Sequence, residues 1–167
     1  QEAVERINQL DLKAIWQFIG NIQSNRTKLI ANHFDWEHSI TRYKIAERLN
    51  NQRKREGVMN VCIQVKLDEN DARESVKPIE VRKLIDEMQN LEKIKLRGLM
   101  GISSPESSLE EKNDDFRRLN QLYKELIIEG HEIDTLSMGM SDDYKIAIQN
   151  GSNMIRIGTS LFGKRDY

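Results

Sequence analysis

The chain of 167 residues has one cysteine, Cys62, which excludes an intramolecular disulfide framework and suits a reducing compartment. Its three histidines, His33, His38 and His131, are scattered and show no metal-ligand spacing. No apolar run approaches the roughly 18 residues that a membrane-spanning helix needs. The first residues, Gln1-Glu-Ala-Val-Glu-Arg, lack the shape of a signal peptide, so the cytoplasm is the expected compartment. The formal net charge is −1, which gives no electrostatic case for nucleic acid or an anionic membrane. No low-complexity linker divides the chain, and its length fits one domain with a sizeable core.

What is present is an alternation of strand-like and helix-like segments, the signature of an α/β domain with a parallel sheet. Strands are expected over 16–20, 36–40, 58–67, 96–101, 133–138 and 153–157, with helices over 26–32, 43–55, 78–90, 110–129 and 143–149. The fourth helix is the clearest: Phe116, Leu119, Leu122, Tyr123, Leu126 and Ile127 recur at helical spacing and Gly130 follows them. Residues 2–10 resemble the end of a further helix. The clusters Arg53-Lys54-Arg55 and Glu110-Glu111 read as solvated helix ends, and Cys62 as a small buried hydrophobe.

The densest information lies near the end. An apolar strand reaches Met138, Gly139 breaks it, and Ser141, Asp142 and Asp143 offer side chains that cap a short helix. Asn150-Gly151 stops that helix, a second strand follows, and Gly158-Thr159-Ser160 closes it. In a β/α barrel the last two strand-to-loop junctions make a phosphate site from backbone N–H groups and hydroxyls. Alternation places Met154, Arg156 and Gly158 on one face, and an arginine among such apolar neighbours needs a buried acceptor. The pattern points to a phosphorylated ligand held against Arg156. Ser141 has two readings, a helix cap or a phosphate ligand. Asp142 and Asp143 would repel an anion and suit the cap.

The segments Trp16-Gln-Phe-Ile-Gly-Asn-Ile-Gln-Ser-Asn-Arg, His33-Phe-Asp-Trp, Leu96-Arg-Gly-Leu-Met, Leu136-Ser-Met-Gly-Met-Ser-Asp-Asp and Ile155-Arg-Ile-Gly-Thr-Ser-Leu-Phe-Gly span nearly the whole chain in order. Together they resemble the pyridoxal phosphate homeostasis protein family. The resemblance implies a (β/α)8 TIM-barrel type fold, the fold-type III pyridoxal phosphate barrel, similar to the N-terminal domain of alanine racemase. Only about six of eight β/α units are read in residues 1–167, taken as a single barrel domain truncated on its N-terminal side. At roughly 30 residues per unit, about 60 residues of the family pattern precede Gln1. In the family those units carry the lysine that forms the Schiff base and an asparagine near the cofactor ring, and the resemblance finds neither in residues 1–167. An open sheet of this kind has two unpaired edges and an exposed interior, a hazard for association, although intact family members are mostly monomers.

The resemblance implies pyridoxal 5'-phosphate as cofactor, with Ser141, Gly158 and Thr159 around the phosphate and Arg156 facing the pyridine nitrogen. Met138 is a further candidate ring neighbour, against a plainer reading as core. No catalytic residue and no metal are expected; the expected partner is the cofactor, with no nucleic acid and no membrane. Gln17 departs from the histidine usual in the family, Asn21 replaces a common proline, and the family's turn is changed to Arg73-Glu74-Ser75. Lys66 stands where the family commonly has asparagine. Its amine is a candidate substitute for the lysine ahead of Gln1, against the plainer reading of a strand-end lysine. The function implied is cofactor homeostasis without substrate turnover. The competing readings are a TIM-barrel enzyme acting on a phosphorylated metabolite, and an inert fragment that binds no cofactor covalently.

Overall fold

The computed structural model describes residues 2–9, 14–69 and 71–163. Six parallel strands, β1 (Gln17–Phe18), β2 (Trp36–Ile40), β3 (Met59–Gln64), β4 (Ile94–Met100), β5 (Thr135–Met140) and β6 (Met154–Arg156), pair in sequence order into one curled sheet, an arc of an α/β barrel. The connecting helices are α2 (Thr27–His33), α3 (Tyr43–Gln52), α4 (Val81–Met88), α5 (Leu109–Ile128) and α6 (Tyr144–Gln149), with α1 (Glu2–Gln9) before β1 and α7 (Thr159–Phe162) after β6. Each parallel pair needs such a crossover, so the alternation in the sequence dictates the architecture.

Two apolar clusters lie on the two faces of this sheet. The larger fills the space under the helices and includes Ile40, Val61, Ile63, Leu99, Leu136 and Met138 from the strands. Helix α4 contributes Val81, Leu84, Ile85 and Met88, and α5 contributes Phe116, Leu119, Leu122 and Leu126. These stripes are what period 3.6 requires, and full burial of each such side chain stabilises by roughly 1.5–3 kcal/mol. The smaller cluster, Trp36, Cys62 and Met100 with Ile102 and Met154 against it, lines the concave face.

Local chemistry sets the element ends. Helix α5 opens on a capping box in which Ser108 and Glu111 satisfy each other's backbone N–H groups. The segment read as one helix from Pro78 begins instead as a 3-10 turn over Pro78–Glu80. Arg53, grouped with the solvated ends in the sequence, is buried. Its guanidinium donates to the carbonyls of Ala31, Phe34 and Gly57, so it closes the open end of α2 that the chain itself leaves unsatisfied. Lys54 and Arg55 are exposed.

Gly139 marks where β5 turns toward α6. Its φ is +96°, and an added Cβ would meet Ala147 Cβ at 2.6 Å and Tyr144 Cα at 3.0 Å. Glycine is required there both by dihedral and by space, which brings α6 close against the end of the strand.

Candidate cofactor site on the concave face

The C-terminal ends of β5 and β6 are joined by side chains as well as by the ladder. Met140 pairs with Arg156, and the Ser160 N–H donates to Ser141 Oγ at 3.2 Å, tying the loop after β5 to the start of α7. Ser141, Gly158 and Thr159 therefore belong to two neighbouring turns, as their positions in the sequence imply. Ser141 is half-buried, whereas Gly158 and Thr159 are exposed. The capping roles differ from expectation. Asp143 is the N-cap residue of α6, but its carboxylate accepts from the Met140 N–H at 2.6 Å rather than from the helix. Ser141 caps nothing in α6, because its hydroxyl serves the other turn.

Arg156 projects onto the concave face. Nη1 donates to Ser137 Oγ at 2.8 Å and Nη2 to the carbonyl of Gly101 at 2.9 Å. Burial lowers its pKa to about 10, and it remains charged at neutral pH. Among the described residues no carboxylate forms an ion pair with it, although the buried Asp143 favours its charge from a distance. Its Nε–H is shielded from solvent and has no hydrogen-bond partner among the described residues. A buried donor without an acceptor costs about 1–3 kcal/mol, so this nitrogen is a prepared place for an acceptor. The shielding side chains must shift for a ligand atom to reach it.

Met138 points the other way. It is fully buried in the cluster beneath the helices, one residue from Ser137 and therefore on the opposite face of β5. It packs the core, and the ring-neighbour role does not fit its position. Lys66 Nζ donates to the Asp71 carbonyl at 3.1 Å, in keeping with a structural lysine. Cys62 is free and buried, and burial pushes its thiol pKa up.

Four polar residues of the sheet, Gln17, Glu37, His38 and Ser137, carry more than their sequence suggests. His38 is fully buried, with Nδ1 3.0 Å from Ser137 Oγ and Nε2 2.8 Å from Gln17 Oε1. Burial first, and the Arg156 charge second, lower its pKa to about 4, so it is neutral at physiological pH. Gln17, Ser137 and Arg156 thus belong to one chain of hydrogen bonds through His38, which crosses β1, β2, β5 and β6. Glu37 is also fully buried. One carboxyl oxygen accepts from the Ser39 N–H, the other has no partner among the described residues, and burial raises its pKa well above the usual carboxylate value. A histidine and a glutamate inside a strand were the available signals, since neither is cheap to bury. Among the described residues no group of three or more His, Cys, Asp or Glu could hold a metal. No helix of these residues is long and apolar enough to cross a membrane.

Comparison with known proteins follows the same lines. Residues 1–166 match the family model for the alanine racemase N-terminal domain. Pyridoxal phosphate homeostasis proteins of Haemophilus influenzae and Pasteurella multocida are 42% and 45% identical over 173 residues, covering 100% of this chain and 73% and 74% of their own lengths. The structure of PipY from Synechococcus elongatus without PLP superposes with a TM-score of 0.89 at 32% identity, covering 97% of this chain and 78% of PipY. With PLP bound, the TM-score is 0.84 at 30% identity, over 95% of this chain and 74% of PipY. An alanine racemase of Clostridium difficile shares the fold, with a TM-score of 0.80 at 17% identity over 99% of this chain and 44% of the racemase.

Proposed function

The chain belongs to the pyridoxal phosphate homeostasis protein family, and we propose that it binds pyridoxal 5'-phosphate on its concave face and serves cofactor homeostasis in the cytoplasm, without turning over a substrate. The observation that carries this reading is the Nε–H of Arg156, buried and lacking an acceptor among the described residues. A pyridine nitrogen supplies the acceptor that is missing. The paired turns at Ser141 and at Gly158-Thr159 offer hydroxyls and close backbone approach for the phosphate. The residues present therefore fit the group.

When bound, the cofactor supplies an aldehyde and a pyridine ring able to withdraw electrons. What the chain does to that ring follows from charge. A guanidinium that donates to the nitrogen disfavours protonation there, and a ring kept unprotonated is a weak electron sink. That suits a carrier that holds and releases the cofactor better than a catalyst that drives bond cleavage through it. Equilibrium dialysis of the chain against pyridoxal 5'-phosphate tests the reading. One equivalent bound reversibly and displaced by inorganic phosphate is the expected result. Absence of binding, or binding that Arg156→Gln leaves unchanged, overturns it.

A further inference from the structure

Ser137 lies between two nitrogens, and its one hydroxyl hydrogen decides the state of both. Arg156 Nη1, 2.8 Å away, can only donate, so Oγ accepts from it. His38 Nδ1, 3.0 Å away, is then the only acceptor that the Ser137 hydroxyl has among the described residues. Ser137 is fully buried, and an O–H left without an acceptor there is costly. His38 Nδ1 therefore accepts, and the ring proton resides on Nε2, 2.8 Å from the Gln17 carbonyl oxygen that receives it. Gln17 stands where the family usually has histidine. An amide oxygen does not titrate, so the first acceptor in this chain of bonds is permanent.

The last link reaches Arg156. Ser137 Oγ holds Nη1 and the Gly101 carbonyl holds Nη2 at 2.9 Å. The guanidinium is planar, so two anchors fix its plane and with it the direction of the Nε–H. We propose that His38 is a positioning residue for the ligand's ring: its neutral imidazole, oriented by Gln17, keeps the Ser137 oxygen turned to Arg156 and so aims Nε–H at a pyridine nitrogen. Among the described residues, the side-chain hydrogen bonds of Gln17, His38 and Ser137 reach one another and Arg156 but not Ser141, Gly158 or Thr159. The inference rests on Arg156 as the partner of the ring nitrogen.

The test separates ring from phosphate in the 167-residue chain. Affinities for pyridoxal 5'-phosphate and for inorganic phosphate are measured in the wild type, His38→Leu, Ser137→Ala and His38→Gln. Glutamine can accept from Ser137 and donate to Gln17, so it restores the direction of the chain without a titrating ring. Loss of one buried hydrogen bond to a charged group corresponds to roughly tenfold or more in affinity. His38→Leu and Ser137→Ala should therefore bind pyridoxal 5'-phosphate about tenfold more weakly and inorganic phosphate unchanged, with His38→Gln recovering most of the loss. Equal binding of the cofactor by all four proteins overturns the positioning role and leaves the cofactor reading intact. Parallel losses for cofactor and phosphate, not rescued by glutamine, would show that His38 only maintains the fold. A wild type that binds neither ligand overturns the inference together with the function on which it rests.

Discussion

Lowering the pH should cost this fold stability through His38, by an amount the structure allows one to work out. Unfolded, the imidazole titrates near 6.5, whereas in the folded chain burial and Arg156 lower its pKa to about 4. Above pH 6.5 both states are neutral and the group contributes nothing to the pH dependence. Below it the unfolded chain takes up a proton that the folded chain refuses, so stability is lost at about 1.4 kcal/mol per pH unit until about pH 4. The loss is about 2 kcal/mol at pH 5 and about 3 kcal/mol in full. Glu37 acts in the opposite sense. Its carboxyl stays protonated in the fold above the range in which the unfolded chain ionises it, so falling pH restores stability there. Urea unfolding of the wild type alone reports the sum. The difference between wild type and His38→Gln isolates the histidine, because the variant retains Glu37. That difference should fall by about 2 kcal/mol between pH 7.5 and pH 5, whatever its value at neutral pH. A difference that stays flat across this window would refute the assignment of a neutral, buried His38.

Other substitutions probe separate parts of the account. Glu37→Gln should stabilise the chain at pH 8, with the gain shrinking as the pH approaches 4.5, because the amide can still accept from Ser39 and never has to be neutralised; thermal unfolding at the two pH values measures this. Gly139→Ala should lower stability by about 2 kcal/mol or more, since both its φ of +96° and the contact with Ala147 oppose a side chain; a chevron or urea midpoint reads the loss. Arg156→Glu should alter the absorption spectrum of bound pyridoxal 5'-phosphate across pH by favouring a protonated ring. A fold that collapses without cofactor, with an unchanged spectrum where binding survives, would make Arg156 a structural residue only. Borohydride treatment with the cofactor should leave Lys66 unmodified in peptide mass mapping, because its amine is engaged by the Asp71 carbonyl; a stoichiometric adduct there would reverse that view.

Much of this architecture can be read from local pattern. The strand over 36–40 is found at Trp36–Ile40, and the helix of Phe116, Leu119, Leu122 and Leu126 is found over Leu109–Ile128, because an apolar run and a 3.6-residue stripe are properties of neighbouring residues. That the turns at Ser141 and at Gly158-Thr159 are neighbours is also legible, since each closes one of two successive strands of a parallel sheet. What stayed hidden depends on partners distant in sequence. Arg53 looks like a solvated charge until α2 presents it with carbonyls 19 and 22 residues away. His38 and Ser137 are 99 residues apart, and nothing local in either strand announces that they meet. Met138, read either as a ring neighbour or as core, lies in the cluster beneath the helices, where strand alternation turns it away from the face of Ser137.

The proposed function depends on the Nε–H of Arg156 donating to the pyridine nitrogen while the turns at Ser141 and Gly158-Thr159 hold the phosphate. A crystal structure of the chain with pyridoxal 5'-phosphate tests it most directly. The account predicts the ring nitrogen within hydrogen-bond distance of Arg156 Nε, Nη1 still held by Ser137, and the phosphate between the two turns. Cofactor density elsewhere on the chain, or a bound ring that leaves Arg156 Nε without an acceptor, would contradict it.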